Sequence, residues 1–375
     1  MSQSPIVLYD GWTLAYHPNS WEAVHLLSLL ANLPAGLRAQ VALPAKPFEP
    51  LPPGVESLTQ EIPNTPWGRL GWEQRVLPGL ARDNRSRLLH LMGMQAALFG
   101  STPQVISPVG YGSRFEPGSG SSMTGSRGSL QTTGLANRIR LAMGQGGLSR
   151  AAGIYWPDDL PDPVSGLNLL KLPPMIHPRF TATTRASSHP ELPETYILYH
   201  GPHTDAAIHR LVEAWSWATG PIGEYYPLLV LGLDRSSEAR LNAILEQTRL
   251  VKTVSLLPPL PLENMIYLYQ HCTAVFHPAE VPPWGGPLRS ALTCGKPLVA
   301  IETPLSDALV GPAGYLVKTD KPDSNRAMGA ALITVIVEED VATRLAQAGR
   351  ERSKGWQNND FAAALASAYQ SLADL

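Results

Sequence analysis

Residues 277–300, HPAEVPPWGGPLRSALTCGKPLVA, gather the side chains and turns best suited to holding a charged ligand. Gly285 and Gly286 precede an apolar helix pattern that Pro287 can start and Gly295 can end. The first amides of such a helix, Leu288 and Arg289 among them, lack internal partners and carry the positive end of its dipole, so the segment suits an anion. Arg289 either adds a positive charge there or is a solvated helix residue. Glu280 is the nearby carboxylate, either functional or an ordinary loop residue, and Trp284 either packs on a ligand or fills the loop. Elsewhere, Asp10 closes the first apolar run, where it can orient a hydroxyl or cap the next turn. His90 ends another such run, as a polar group at a strand end or as a hydrogen-bonded core histidine. His203 lies in a glycine-containing turn, where it adds weak, pH-dependent positive charge or is incidental. Cys272 and Cys294 have neither CxxC spacing nor paired histidines nearby, which leaves two buried, reduced thiols and no metal site.

These residues need elements to place them. Runs rich in Val, Ile and Leu recur between helix-period segments, the pattern of parallel sheets in an α/β fold. IVLYDG reads as a strand. A loop through Pro18 and Asn19 leads to Ser20 as an N-cap, and WEAVHLLSLLANL has helical apolar spacing. AQVALPA, SRLLHLMG, QVISPVG and AAGIYWP read as further strands, and GLANRIRLAMGQGG as a helix. Residues 110–134 are too rich in glycine and serine for a packed element; they read as a loop, either a disordered excursion or a lid that orders with substrate. The polar stretch TATTRASSHPELPE reads as a linker. A second series follows: strand TYILYHG, helix DAAIHRLVEAWSWA, strand YYPLLVLG, helix SSEARLNAILEQTRL, strand TVSLLPPLP, helix LENMIYLYQHC, strand TAVFHPA, helix PLRSALTCG and strand KPLVAIE. FAAALASAYQSLADL closes the chain as an amphipathic helix. The expected organisation is a first domain over 1–185, a second over 190–355, and a terminal helix within 356–375 that returns to the first domain.

At 375 residues the chain exceeds what one core usually serves, in keeping with two domains. With 44% hydrophobic and 16% charged residues it has a soluble globular composition, and no apolar run is long enough for a membrane span. The start goes directly into a strand-like run without a secretory leader, so a cytoplasmic location is expected. A net charge of -2 gives no field to gather nucleic acid, so none is expected as a partner.

The second series resembles the C-terminal domain of retaining GT-B glycosyltransferases of family 4, the glycosyltransferase group 1 type. The resemblance rests on six pieces in order: ILYHG with HRLVEAW, PLLVLG, LPPLPLENMIYLYQHCTAVFHPAE, GGPLRSALTCGKPLVA and VGPAGYLV. It implies two Rossmann-like domains facing across a cleft, with a nucleotide sugar against the C-terminal domain and an acceptor against the N-terminal one. It also implies sugar transfer with retention, no metal or other cofactor, and a donor site containing Gly201, His203, Trp284, Gly285, Gly286, Leu288, Arg289 and Ser290. In such enzymes amides, helix ends and basic side chains stabilise the departing nucleoside diphosphate.

The usual donor loop pairs two glutamates across seven residues, and those positions here hold Pro282 and Ser290. The cationic pair expected after the first glycine is also replaced: GPHTDAAIHR offers His203, Asp205, Ala206 and Ala207, with no Arg or Lys before Arg210. Asp10, His90 and Glu280 are therefore the candidates for catalytic roles. Two functions from different classes remain: a glycosyltransferase acting on a nucleotide sugar and an unidentified acceptor, or a non-catalytic GT-B-like subunit that binds a partner glycosyltransferase or a glycan. A GT-B sugar-nucleotide epimerase is a third, lesser reading.

Overall fold

The computed structural model describes residues 5–93, 95–98, 100–109, 135–162, 168–182, 192–320, 323–357 and 360–373. The chain forms two compact units. The first is Met1–His177 with Pro282–Trp284 and Asn359–Leu375; the second is Pro178–Val281 with Gly285–Asn358.

In the first unit, β1 (Ile6–Asp10), β2 (Arg38–Leu43), β3 (Glu56–Thr59), β4 (Leu88–Met92), β5 (Gln104–Ser107), β6 (Gly153–Pro157) and β7 (Leu169–Leu172) make one sheet ordered β3-β2-β1-β4-β5-β6-β7. Its pairings are parallel. Parallel strands covered by helices on both faces are apolar throughout, which is why β1, β4, β5 and β6 stand out in the sequence. The edge strands β3 and β7 are partly exposed and carry no such signal. Ser20 caps the helix Trp21–Ala31 by accepting from the Ala23 amide at 3.2 Å. The loop expected between Gly11 and Ser20 instead contains a one-turn helix, Trp12–Tyr16, whose Trp12 and Leu14 are buried. One turn is too short to show a helical period. Leu8, Trp12, Trp72, Leu77, Leu89, Leu91, Ile106 and Ile154 form this unit's core.

The second unit contains β8 (Ile197–Tyr199), β9 (Leu228–Val230), β10 (Val254–Leu256), β11 (Ala274–His277), β12 (Leu298–Ile301) and β13 (Tyr315–Val317), ordered β10-β9-β8-β11-β12-β13 and parallel. Helices Asp205–Ile222 and Ser324–Val337 supply Trp215, Ile208, Leu211, Met328 and Leu332 to its core. In both sheets the strand order reverses beside the first strand, between β1 and β4 and between β8 and β11. Ligands of open α/β sheets bind outside the carboxyl ends of the strands at such reversals.

The terminal helix Phe361–Ala373 belongs to the first unit, where the Tyr369 hydroxyl meets the Tyr9 hydroxyl at 3.0 Å and His90 Nδ1 at 2.7 Å. Among the described residues no helix is long and apolar enough to cross a membrane.

Candidate functional site

In the second unit the chain leaves β8 at Tyr199 and turns through His200–Thr204 into the helix Asp205–Ile222. Tyr199 folds back over this turn, its hydroxyl donating to the Pro202 carbonyl at 2.6 Å. A Cβ on Gly201 would lie 2.6 Å from the Tyr199 ring, so this position requires glycine. Thr204 caps the helix by accepting from the Ala207 amide at 3.3 Å. The amides of Asp205 and Ala206 then have no acceptor within the helix and face outward from its positive end. His203 is half-buried, and burial pushes its pKa down to about 4, so it is neutral near pH 7. Its Nε2 is buried without a partner among the described residues.

The cation absent from this turn in the sequence arrives from another element. Arg240, on the helix Arg235–Thr248, donates to the His203 carbonyl at 3.3 Å and pairs with Asp205. Residue spacing gave no sign of it, because Arg240 is distant in sequence and sits in an ordinary amphipathic pattern.

β11 ends on His277, which is fully buried and stacks on Tyr199 with ring centres 6.1 Å apart. His277 Nε2 lies 3.0 Å from the Glu280 carbonyl. A carbonyl can only accept, so Nε2 carries the proton of the neutral ring. Burial lowers the His277 pKa to about 4, opposed by that bond. Glu280 thus shapes the turn through its backbone, while the residue itself is exposed.

Gly285 then takes φ +73 and forms the N-cap of the helix Gly286–Thr293. A Cβ there would lie 2.3 Å from Leu309 Cδ1, so both conformation and space demand glycine. The amides of Leu288 and Arg289 are directed to the Gly285 carbonyl at 2.8 and 3.2 Å, and Pro287 has no N–H. Of the amides read as an anion cradle, Gly286 N–H is the one left without a helical acceptor. Arg289 is only 1% exposed, so the alternative of a solvated helix residue does not hold. Its guanidinium lies 4.5 Å over the Trp356 ring. Leu288 and Ser290 are buried in the same helix. Trp284 belongs to the first unit, with its indole 4.8 Å from the His25 ring.

The first-unit candidates are occupied by their neighbours. Asp10 Oδ1 accepts from the Trp12 amide at 3.0 Å and from Trp72 Nε1 at 2.8 Å, and Oδ2 accepts from Arg69 Nη2 at 3.0 Å. His90 is fully buried, with Nδ1 on Tyr369 and Nε2 2.8 Å from Ser107 Oγ; burial and then nearby His25 hold its pKa well below the ordinary value. Cys272 and Cys294 are free thiols whose pKa values burial raises, the former to about 12; Cys272 is buried and Cys294 only partly so. Among the described residues no group of three His, Cys, Asp or Glu could hold a metal ion. The 110–134 loop lies outside the described residues, as does most of the linker, at 183–191.

Residues 183–352, nearly all of the second unit, match the family model described as Glycosyl transferases group 1. No curated protein matches the chain. Among solved structures, WaaG, a glycosyltransferase involved in lipopolysaccharide biosynthesis, superposes with a TM-score of 0.70 at 14% identity, covering 98% of this chain and 99% of WaaG. Sucrose-phosphate synthase from Thermosynechococcus elongatus gives 0.66 at 16% identity, with 98% and 99% covered. HepE from Anabaena, solved with UDP and glucose, gives 0.63 at 15% identity, with 99% and 100% covered.

The architecture is therefore GT-B, two Rossmann-like units in one chain. Its second unit is the part that is similar to the glycosyl transferases group 1 model.

Proposed function

We propose that this protein transfers a sugar from a nucleotide-sugar donor to an acceptor, with retention at the anomeric carbon, and that the donor diphosphate sits at the β8 and β11 ends of the second unit. One observation carries this reading: two helix N-termini, at Asp205 and Gly286, follow the two strands that flank the sheet reversal, with Arg240 brought to the first of them. Oriented amides and a guanidinium can stabilise a departing diphosphate without a metal ion, because they are fixed before charge develops. His203 contributes there as a neutral hydrogen-bonding group. The group 1 family match over this unit and the HepE structure solved with UDP and glucose support the same class of donor. A cytoplasmic site of action, where nucleotide sugars are made, fits this reading.

A second reading, a non-catalytic GT-B-like subunit that partners another glycosyltransferase or binds a glycan, is favoured by the buried Pro282 and Ser290 at the positions of the usual glutamates. The turn of Arg289 onto Trp356 points the same way. Calorimetric titration of the full chain with UDP-, GDP- and ADP-sugars decides between them. Binding of one of these at micromolar to millimolar concentration is expected, followed by turnover once an acceptor is supplied. Absence of binding up to millimolar donor sinks the transferase reading for the isolated chain, and turnover by the purified protein alone sinks the second. Equal donor hydrolysis by wild type and Glu280→Gln is expected from the exposed position of Glu280.

A further inference from the structure

Two neighbouring helices of the second unit carry an outward face without charge. The helix Asp205–Ile222 and the turn after it have no charged residue over 214–223, and Ser324–Val337 has none over 327–337. The helices run side by side in the same direction: Asn325 donates to Glu213, and a Cβ on Gly329 would lie 2.6 Å from Trp217 Cβ and 2.7 Å from the Ala214 carbonyl oxygen. Their inner sides fill the core with Trp215, Ala218, Met328, Leu332 and Val335. Their outer sides expose Trp217 and Pro221 from one helix, and Ala327, Ala330 and Val337 from the other. Trp217 is 53% exposed and Val337 66%. A surface helix normally turns charged and polar residues to water, so two adjacent helices that keep apolar side chains there present a face suited to being covered.

Charge at the border decides what covers it. Glu213 and Glu224 bound the uncharged stretch beside Trp217, and Glu338, Glu339 and Asp340 follow Val337. Arg326 stands at the opposite end of its helix, its guanidinium 5.3 Å from the Trp217 ring centre. A border this acidic repels an anionic lipid surface, which is drawn to clustered Lys and Arg.

It suits a second copy of the same chain. In a two-fold contact each residue pairing occurs twice, once in each direction. Two Ser324–Val337 helices set antiparallel about an axis level with Leu332 bring Arg326 opposite Glu338 of the second copy, Ala327 opposite Val337, and Ala330 opposite Thr334. Arg326 then also meets the negative end of the opposing helix. No ion pair joins Arg326, Glu338 or Glu339 to another described residue, so these charges are not already paired within the chain.

The size of the face sets the strength of the contact. Ser324–Val337 has 14 residues and so is about 21 Å long, and two helices side by side are about 20 Å wide. That is at the small end of specific interfaces, which bury about 800 Å² per partner, so association in the micromolar range is expected.

We propose that the outward face of Asp205–Ile222 and Ser324–Val337 is a self-association surface, on which two copies of the chain pair through antiparallel Ser324–Val337 helices. This pairing is independent of the sugar-transfer reading.

Sedimentation equilibrium of the full chain, from micromolar to submillimolar concentration and at low and high salt, tests it. A reversible step from monomer to dimer is expected, weakened by salt because the end pairs are exposed. Ala330→Glu sets like charges against each other near the two-fold axis and should raise the dissociation constant about tenfold or more. Its melting temperature should not change, since Ala330 is exposed. Arg326→Glu should also weaken the dimer, and adding Glu338→Arg to the same chain should restore it. A single-chain mass at every concentration, a dimer indifferent to Ala330→Glu, or a folded charge-swapped chain that stays monomeric overturns the proposal. Flotation with vesicles of phosphatidylcholine and phosphatidylglycerol covers the remaining occupant. Vesicle binding by a monomeric wild type that Ala330→Glu abolishes would assign the face to a membrane and overturn the proposal as well.

Discussion

Acidification should destabilise the second unit through His277, and the size of the effect follows from its burial. The imidazole is fully buried, donates from Nε2 to the Glu280 carbonyl, and has its pKa lowered to about 4. In the unfolded chain a histidine titrates near 6.5, at about pH 6 to 7. Between these two values the unfolded state binds a proton that the folded state refuses, so stability falls as pH drops below about 6.5 and levels off near 4. Each pH unit inside that window is worth about 1.4 kcal/mol, so His277 alone removes about 2 kcal/mol between pH 7 and pH 5. Urea denaturation of wild type and His277→Asn at both pH values measures it. The substitution carries its own pH-independent packing loss, which cancels when the pH 7 to pH 5 change of one protein is subtracted from that of the other. The wild type should lose about 2 kcal/mol more than the variant over this interval. Equal pH dependence in the two proteins would refute the reasoning, since it would mean that His277 is protonated without cost in the folded state. His203, also lowered to about 4, adds a similar slope to both proteins and drops out of the difference.

Three further outcomes follow from the packing. Gly201→Ala places a methyl 2.6 Å from the Tyr199 ring and should cost about 1 to 3 kcal/mol in chemical denaturation, as overpacked sites do; an unchanged midpoint would show that Tyr199 moves aside freely. Tyr369→Phe leaves His90 Nδ1 and the Tyr9 hydroxyl each one partner short, with an expected loss of about 1 to 3 kcal/mol, and wild-type stability would contradict that network. Arg289→Lys keeps the charge but gives up the planar stacking on Trp356, so thermal unfolding should move down by the equivalent of about 1 kcal/mol; no shift would place the guanidinium elsewhere.

Much of the fold was readable because parallel strands and amphipathic helices write their burial into the sequence. IVLYDG, SRLLHLMG and QVISPVG became β1, β4 and β5, and Ser20 caps the helix that follows it. Gly285 also announced itself, as a glycine at a helix start, and takes a positive φ there; the Tyr199 ring that requires glycine at 201 came only from the structure. The one-turn helix Trp12–Tyr16 and the edge strands β3 and β7 did not, being too short or too exposed for a period to form.

What the sequence by itself determined was the order of elements and the backbone frame of the candidate site, because local periodicity, caps and glycine positions are set by neighbours along the chain. The tertiary structure alone decided how the charged groups are used. It turned Arg289 inward onto Trp356, engaged Asp10 with Arg69 and Trp72, buried His90 under Tyr369 and carried Arg240 to the β8 turn. Each of these pairings joins residues far apart in the chain. The energy of a charge depends on which distant partner meets it and how much water remains, and neither is encoded in its local pattern.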